Sequence, residues 1–228
     1  MRLLAGSARN VTQDGLHATP IEGSDDPVAG KARTSMIRAA REDRSVEMGG
    51  NRPVPTGHAH NWANLVFEKL REFQVRHVTY VPDTGHAQLI ELCQAADGME
   101  PTVLTTEEEG IGILAGAWLG GERGVLLMQS SGVGNCINTF SLSKVCGFPL
   151  LIIVTMRGEW GELNPWQIPM GQIAAKSLQL AGVIVYEVTE PEAAAPTVEA
   201  AARICFNGGL AVAVLLSQRM LGTKLFKD

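Results

Sequence analysis

Three consecutive glutamates, Glu107, Glu108 and Glu109, stand directly before a stretch rich in small residues: Gly110, Gly112, Ala115, Gly116 and Ala117. Carboxylates at the start of a helix are favoured by the helix dipole, so three acids there serve well as a solvated cap. The small residues open a second reading. They leave one helix face bare enough for another backbone or a flat ring to approach. A carboxylate beside such a surface is desolvated, its pKa rises, and it becomes suited to handling a proton.

Three further segments carry chemistry-bearing residues. The run Gln129-Ser130-Ser131-Gly132-Val133-Gly134-Asn135 reads as a strand end, a polar glycine-rich turn and a helix. Backbone N–H groups in such a turn can cradle an anion. Its spacing matches neither the dinucleotide fingerprint nor a Walker loop, and the Gly-x-Gly alone also serves simply to shape a turn. The stretch from Met156 to Pro169 reads as a long loop holding Arg157, Trp160, Pro165 and Trp166. Loops of that length in a compact domain are often functional, and Trp and Arg equally favour partner contacts. Arg157 offers charge-assisted bonds to an anionic group. The turn Pro82-Asp83-Thr84-Gly85 precedes His86. It is ordinary turn chemistry, with Asp83 a natural cap for the next helix and His86 a weaker substrate contact.

The elements that must position these residues follow from periodicity. From residue 61 onward, apolar residues at helical spacing (Trp62, Leu65, Val66, Leu70, Phe73) alternate with short β-prone runs such as VTYV, GVLLMQ, PLLIIV, VIVYEV and LAVAVLL. Six strands separated by helices, with continuous Val/Ile/Leu runs rather than in-out alternation, imply a sheet covered on both faces. The fold class is α/β: a doubly wound, mostly parallel six-stranded sheet with helices on both faces. Ligands in such sheets sit beyond the carboxyl ends of the strands, which is where all four segments fall.

Residues 1–60 read as a flexible or disordered extension, mixing Gly, Ser, Asp, Arg and Pro without apolar period. A short helix over residues 35–44 is possible there, and His58 and His60 give little reason to expect metal. Residues 61–228 form the domain. The net charge of -5 argues against a nucleic-acid surface or a polybasic membrane anchor. No apolar run is long enough to cross a bilayer, and a cytoplasmic location is expected. The four cysteines make no CxxC pair and are expected as buried, reduced thiols.

Taken in order, VPDT from Val81, EEEGIGILAGAWLGG from Glu107, LMQSSGVGNCIN from Leu127, RGE from Arg157 and PMG from Pro169 resemble the pyrimidine-binding domain of thiamine-diphosphate enzymes. Within that family they look most like sulfopyruvate decarboxylase alpha subunits and phosphonopyruvate decarboxylases. The resemblance covers residues 61–228. It implies a glutamate near the helix start whose carboxyl group hydrogen-bonds N1′ of the cofactor's aminopyrimidine, while the cofactor serves as electron sink when CO2 leaves. Counting back from Gly116 along the family pattern gives Glu107, with Glu108 and Glu109 leaving the register open. Gln129, Ser130 and Asn135 match the loop beside the cofactor, and Asp83, Thr84 and Arg157 are the candidate substrate contacts. The family also needs a Gly-Asp-Gly motif and a downstream Asn to hold Mg2+ and the diphosphate. This sequence has no Gly-Asp-Gly, so no metal residue is assigned, and the resemblance implies a beta subunit that holds Mg2+ in a hetero-oligomer of at least two alpha and two beta chains. The implied substrate is a 2-oxo acid with a second anionic group, 3-sulfopyruvate or phosphonopyruvate. A non-catalytic scaffold of the same fold and a flavodoxin-like nucleotide binder are the alternatives.

Overall fold

The computed structural model of the protein describes residues 62–222. The extension read over residues 1–60, with its short helix and His58 and His60, lies outside them.

The first helix, α1 (Trp62–Glu72), buries Trp62, Ala63, Val66, Phe67 and Leu70, a single apolar stripe at helical spacing. Leu65, counted in that stripe from the sequence, is 44% exposed. Strand β1 (Val75–Tyr80) follows, then α2 (Ala87–Ala95), β2 (Glu100–Val103), α3 (Glu107–Leu119), β3 (Arg123–Gln129), α4 (Ser130–Cys136), α5 (Ser141–Cys146) and β4 (Leu150–Thr155). A 3-10 turn (Pro165–Gln167), α6 (Ile168–Leu180), β5 (Ile184–Val188), α7 (Pro191–Gly208), β6 (Ala211–Leu216) and the short α8 (Gln218–Leu221) complete the order.

The six strands form one sheet in the order β2-β1-β3-β4-β6-β5, and every neighbouring pair is parallel. The doubly wound α/β expectation therefore holds. Strand β4, in the middle, is buried at all six positions, as its uninterrupted Leu-Leu-Ile-Ile-Val run requires. Side chains alternate between two cores. Val125, Leu127, Leu151, Ile153, Val212 and Val214 join α1, α2 and α7 on one face. Leu126, Met128, Ile152, Val154, Ala213 and Leu215 join α3, α4 and α6 on the other. From β1 the chain leaves through α2 toward β2. From β3 it leaves through α4, on the opposite face, toward β4. The sheet's winding thus diverges between β1 and β3, which opens a crevice at their carboxyl ends.

Three local expectations are corrected. The polar glycine-rich turn after β3 does not exist: Gln129 caps α4 in extended conformation and the helix begins at Ser130. The sequence from Asn135 to Cys146, which reads as one helix on its apolar spacing, is instead broken between Cys136 and Ser141. The long loop ends early, because Pro165 opens the 3-10 turn and Pro169 lies in the first turn of α6, where a missing N–H costs nothing. All four cysteines are free, but Cys146 is exposed rather than buried.

Candidate active site

The three glutamates separate into three environments. Thr106 caps α3 in extended conformation without a side-chain bond, and Glu109 takes over by accepting from the Thr105 N–H at 2.8 Å. Glu108 faces solvent. Glu107 is turned inward and is 7% exposed. Asn135 Nδ2 on α4 donates to Glu107 Oε2 at 2.8 Å. The approach depends on Gly132: a β-carbon there would lie 2.5 Å from the Glu107 carboxyl carbon and Oε1. Gly110 similarly lets α3 press onto the sheet, since a β-carbon there would meet Leu126, Leu104 and Thr79 within 3 Å. By contrast, Gly112 and Gly116 face open space, so the small residues read from the sequence as one bare face divide between two sides of the helix, with Gly110 on the buried side beside Glu107. Burial, helped by the nearby charges of Glu107 and Glu108, pushes the Cys136 thiol up to about 12, which keeps it inert.

A second constellation spans the β1/β3 crevice. Asp83 accepts from Gln129 Nε2 at 3.0 Å, Thr155 Oγ1 at 2.5 Å and the Gly85 N–H at 3.2 Å. Gln129 and Thr155 are register partners at the ends of β3 and β4, so the strand ends themselves aim two donors at one carboxylate. Asp83 therefore closes a turn on Gly85 instead of capping α2, whose N-cap is His86. Ser131 Oγ donates to Gln129 Oε1 at 3.0 Å and fixes that amide. Ser130 Oγ accepts from the Arg157 N–H at 3.0 Å and bonds the Arg157 carbonyl at 3.1 Å, tying α4 to the end of β4.

Arg157 is committed within its own loop. Its Nε and Nη2 bond the two Glu162 oxygens at 2.6 and 2.5 Å, and this guanidinium pulls the Glu162 carboxyl down to about 2. Gln218, fully buried, accepts from the Glu159 and Trp160 N–H groups and donates to Glu162 at 2.9 Å. The loop backbone also touches α6: a β-carbon at Gly158 would lie 2.1 Å from the Gln167 carbonyl oxygen, and one at Gly171 would lie 2.0 Å from that of Arg157.

Two cavities adjoin these residues. One of about 270 Å3 is lined by Asp83, Thr84, Gly85, Thr155, Met156 and Arg157. The other, about 890 Å3, lies between Asn135 and Ser131 on α4 and Asn164, Trp166, Pro169 and Met170 on the loop side. The structure thus brings Glu107 to Asn135, Asp83 to Gln129, and Ser130 to Arg157, with Thr84 beside Asp83. Sequence reasoning missed Thr155 and Gln218, which act from afar in the chain, and Glu162, which pairs with Arg157 inside the loop. No group of three or more His, Cys, Asp or Glu among the described residues is arranged to hold a metal ion, and no described helix is long and apolar enough to cross a membrane.

The family model described as thiamine pyrophosphate enzyme, N-terminal TPP binding domain, matches residues 60–175. The chain belongs to this family. That match takes in Glu107, Asn135, Asp83, Gln129 and Arg157. Sulfopyruvate decarboxylase subunit alpha of Methanococcus maripaludis is 36% identical over 157 residues, which is 68% of this chain and 94% of that one. Phosphonopyruvate decarboxylase of Streptomyces viridochromogenes is 40% identical over 79 residues, 34% of this chain but 20% of that enzyme. Among solved structures, a 2-oxoglutarate:ferredoxin oxidoreductase from Magnetococcus marinus superposes with a TM-score of 0.58 at 11% identity, over 86% of this chain and 36% of that one. At that identity the likeness concerns the fold alone.

Proposed function

We propose that this chain is the alpha subunit of a two-subunit, thiamine-diphosphate-dependent carboxy-lyase that converts 3-sulfopyruvate to sulfoacetaldehyde and CO2. The observation that carries the reading is the match to nearly the whole of a sulfopyruvate decarboxylase alpha subunit. That relative's designation as a subunit supports reading this chain, too, as one part of a larger enzyme. The phosphonopyruvate reading draws on higher identity over a shorter stretch; a sulfonate and a phosphonate call for similar donors.

The residues fit the cofactor. Glu107 is a buried carboxyl with Oε2 held by Asn135, and Oε1 has no hydrogen-bond partner among the described residues. Beside Asn135 lies a cavity large enough for an aromatic ring. Thiamine diphosphate supplies, when bound, the carbon nucleophile and the electron sink that decarboxylation needs. In this proposal Glu107 holds or shares a proton at N1′ of its aminopyrimidine. Asn135 fixes the carboxyl plane, and Gln129 and Ser130 shape the wall at the β3–α4 junction. Asp83, Thr84 and Arg157 line the substrate pocket. Because Arg157 is already paired with Glu162, the cations for the second anionic group come mainly from a beta subunit. That subunit also carries the diphosphate-binding domain and Mg2+, in a hetero-oligomer acting in the cytoplasm, where free thiols stay reduced.

The test is decarboxylation of 3-sulfopyruvate, phosphonopyruvate and pyruvate with thiamine diphosphate and Mg2+, with and without a candidate beta chain. Activity is expected only with the partner and best on 3-sulfopyruvate. Glu107→Gln should lower turnover about 100-fold or more while the complex still assembles. An unchanged rate in that variant would return the chain to the scaffold alternative.

A further inference from the structure

His86 is a buried polar ring with no structural reason to be polar. It is 0% exposed, and neither ring nitrogen has a hydrogen-bond partner. An apolar side chain would pack there without leaving two unsatisfied polar atoms. What distinguishes its position is Asp83, one turn earlier: Nδ1 lies 3.8 Å from Asp83 Oδ2, so a ring movement of under about 1 Å makes a hydrogen bond. The turn carrying both is held in place, because Gly85 abuts the Thr155 side chain closely enough to exclude a β-carbon.

The charges around the pocket give the pair something to do. Asp83, which accepts from three donors, faces the cavity. Arg157, the cation lining that cavity, is neutralised by Glu162. An acid with two anionic groups therefore meets a carboxylate and no uncommitted positive charge from the lining residues. One proton removes the conflict. Burial keeps the His86 ring neutral, lowering its pKa to about 4, and the Asp83 charge opposes that lowering. Arg157 and Glu162, beyond β4, are the other charged groups at this pocket, and they cancel one another.

We propose that Asp83 and His86 act as one proton-sharing pair, with His86 the positioning residue that allows the pair to take a proton from solvent as an anionic 2-oxo acid enters. The proton bridges Nδ1 and Oδ2 whichever atom holds it formally, and it belongs to the pair. The identity of the acid rests on the decarboxylase reading; the coupling of the two side chains does not.

Two measurements separate these. Ring 15N NMR of the full-length chain should show a His86 imidazole that stays neutral at pH 7. Asp83→Asn should shift its signals and move its titration still lower, because the supporting charge is gone. A His86 that titrates near its ordinary 6.5, or one indifferent to Asp83→Asn, overturns the pair. In the assembled, cofactor-loaded complex, His86→Phe and His86→Asn should each raise KM for 3-sulfopyruvate about tenfold at pH 7. The gap should narrow as pH falls and protons become more available to the pocket without His86. Asn keeps a donor near Nδ1 but cannot take the proton, so a His86→Asn enzyme with wild-type KM at all pH values also overturns the role. If wild type turns over no 2-oxo acid while the NMR coupling is present, the decarboxylase reading falls and the pair stands.

Discussion

Glu107 and Gly132 are a matched pair, since the carboxyl group occupies the space a β-carbon would fill. Gly132→Ala is expected to push Glu107 out of place, lowering turnover about 100-fold, with an overpacking cost of about 1–3 kcal/mol in denaturant unfolding. Gly134→Ala is the control. Its β-carbon would meet only Met170, with Sδ at 3.2 Å, so stability should change by less than about 1 kcal/mol and Glu107 should keep its place. An acid at this helix start was legible only through the family pattern, which left Glu107, Glu108 and Glu109 open; burial in the structure singles out Glu107. The reason for Gly132 was not legible, since the contact joins residues on two different helices. Asp83 and Gln129 were singled out separately, but nothing local says that both strand ends converge on one carboxylate. That depends on β1 and β3 being neighbours.

The loop after β4 is organised around one ion pair. Arg157 and Glu162 have side chains 13% and 3% exposed, so removing one partner strands a shielded charge. Glu162→Gln should cost about 3 kcal/mol in unfolding experiments at pH 7. Arg157 holds the Glu162 carboxyl below its ordinary 4.5, to about 2. The pair's contribution is therefore complete above pH 4.5 and lost as pH falls toward 2. Stability of wild type and Glu162→Gln, compared between pH 5 and 2.5, should converge at the acid end. The sequence marked this segment as important but misjudged its form. Pro165 and Pro169 read as loop residues, although proline is at home in a first helical turn. Likewise Ser130–Asn135 read as a turn on composition, yet forms a helix because packing against α6 and Glu107 outweighs the weak propensity of Ser and Gly.

Across the whole molecule, the rim of the larger cavity is apolar and uncovered: Trp166 is 82% exposed, and Leu163, on the same loop, 58%. Large aromatic side chains left open beside a site mark a docking surface. Trp166→Ser should weaken association with the beta subunit tenfold or more by titration calorimetry, while the thermal unfolding of the isolated chain stays within about 1 °C of wild type. The six strands and the helices between them were readable from hydrophobic runs. Their order was not, because β4 connects to the sheet edge at β5 before β6 returns between them, and no local pattern encodes that skip. The contacts at Gly158 and Gly171 carry a last consequence. A segment whose backbone rests directly on the helix below, and whose N–H groups are held by the buried Gln218, cannot swing aside as a lid. Its amides should exchange with deuterium nearly as slowly as those of the sheet, so the segment is a fixed wall whose shape is set by the fold rather than by loop motion.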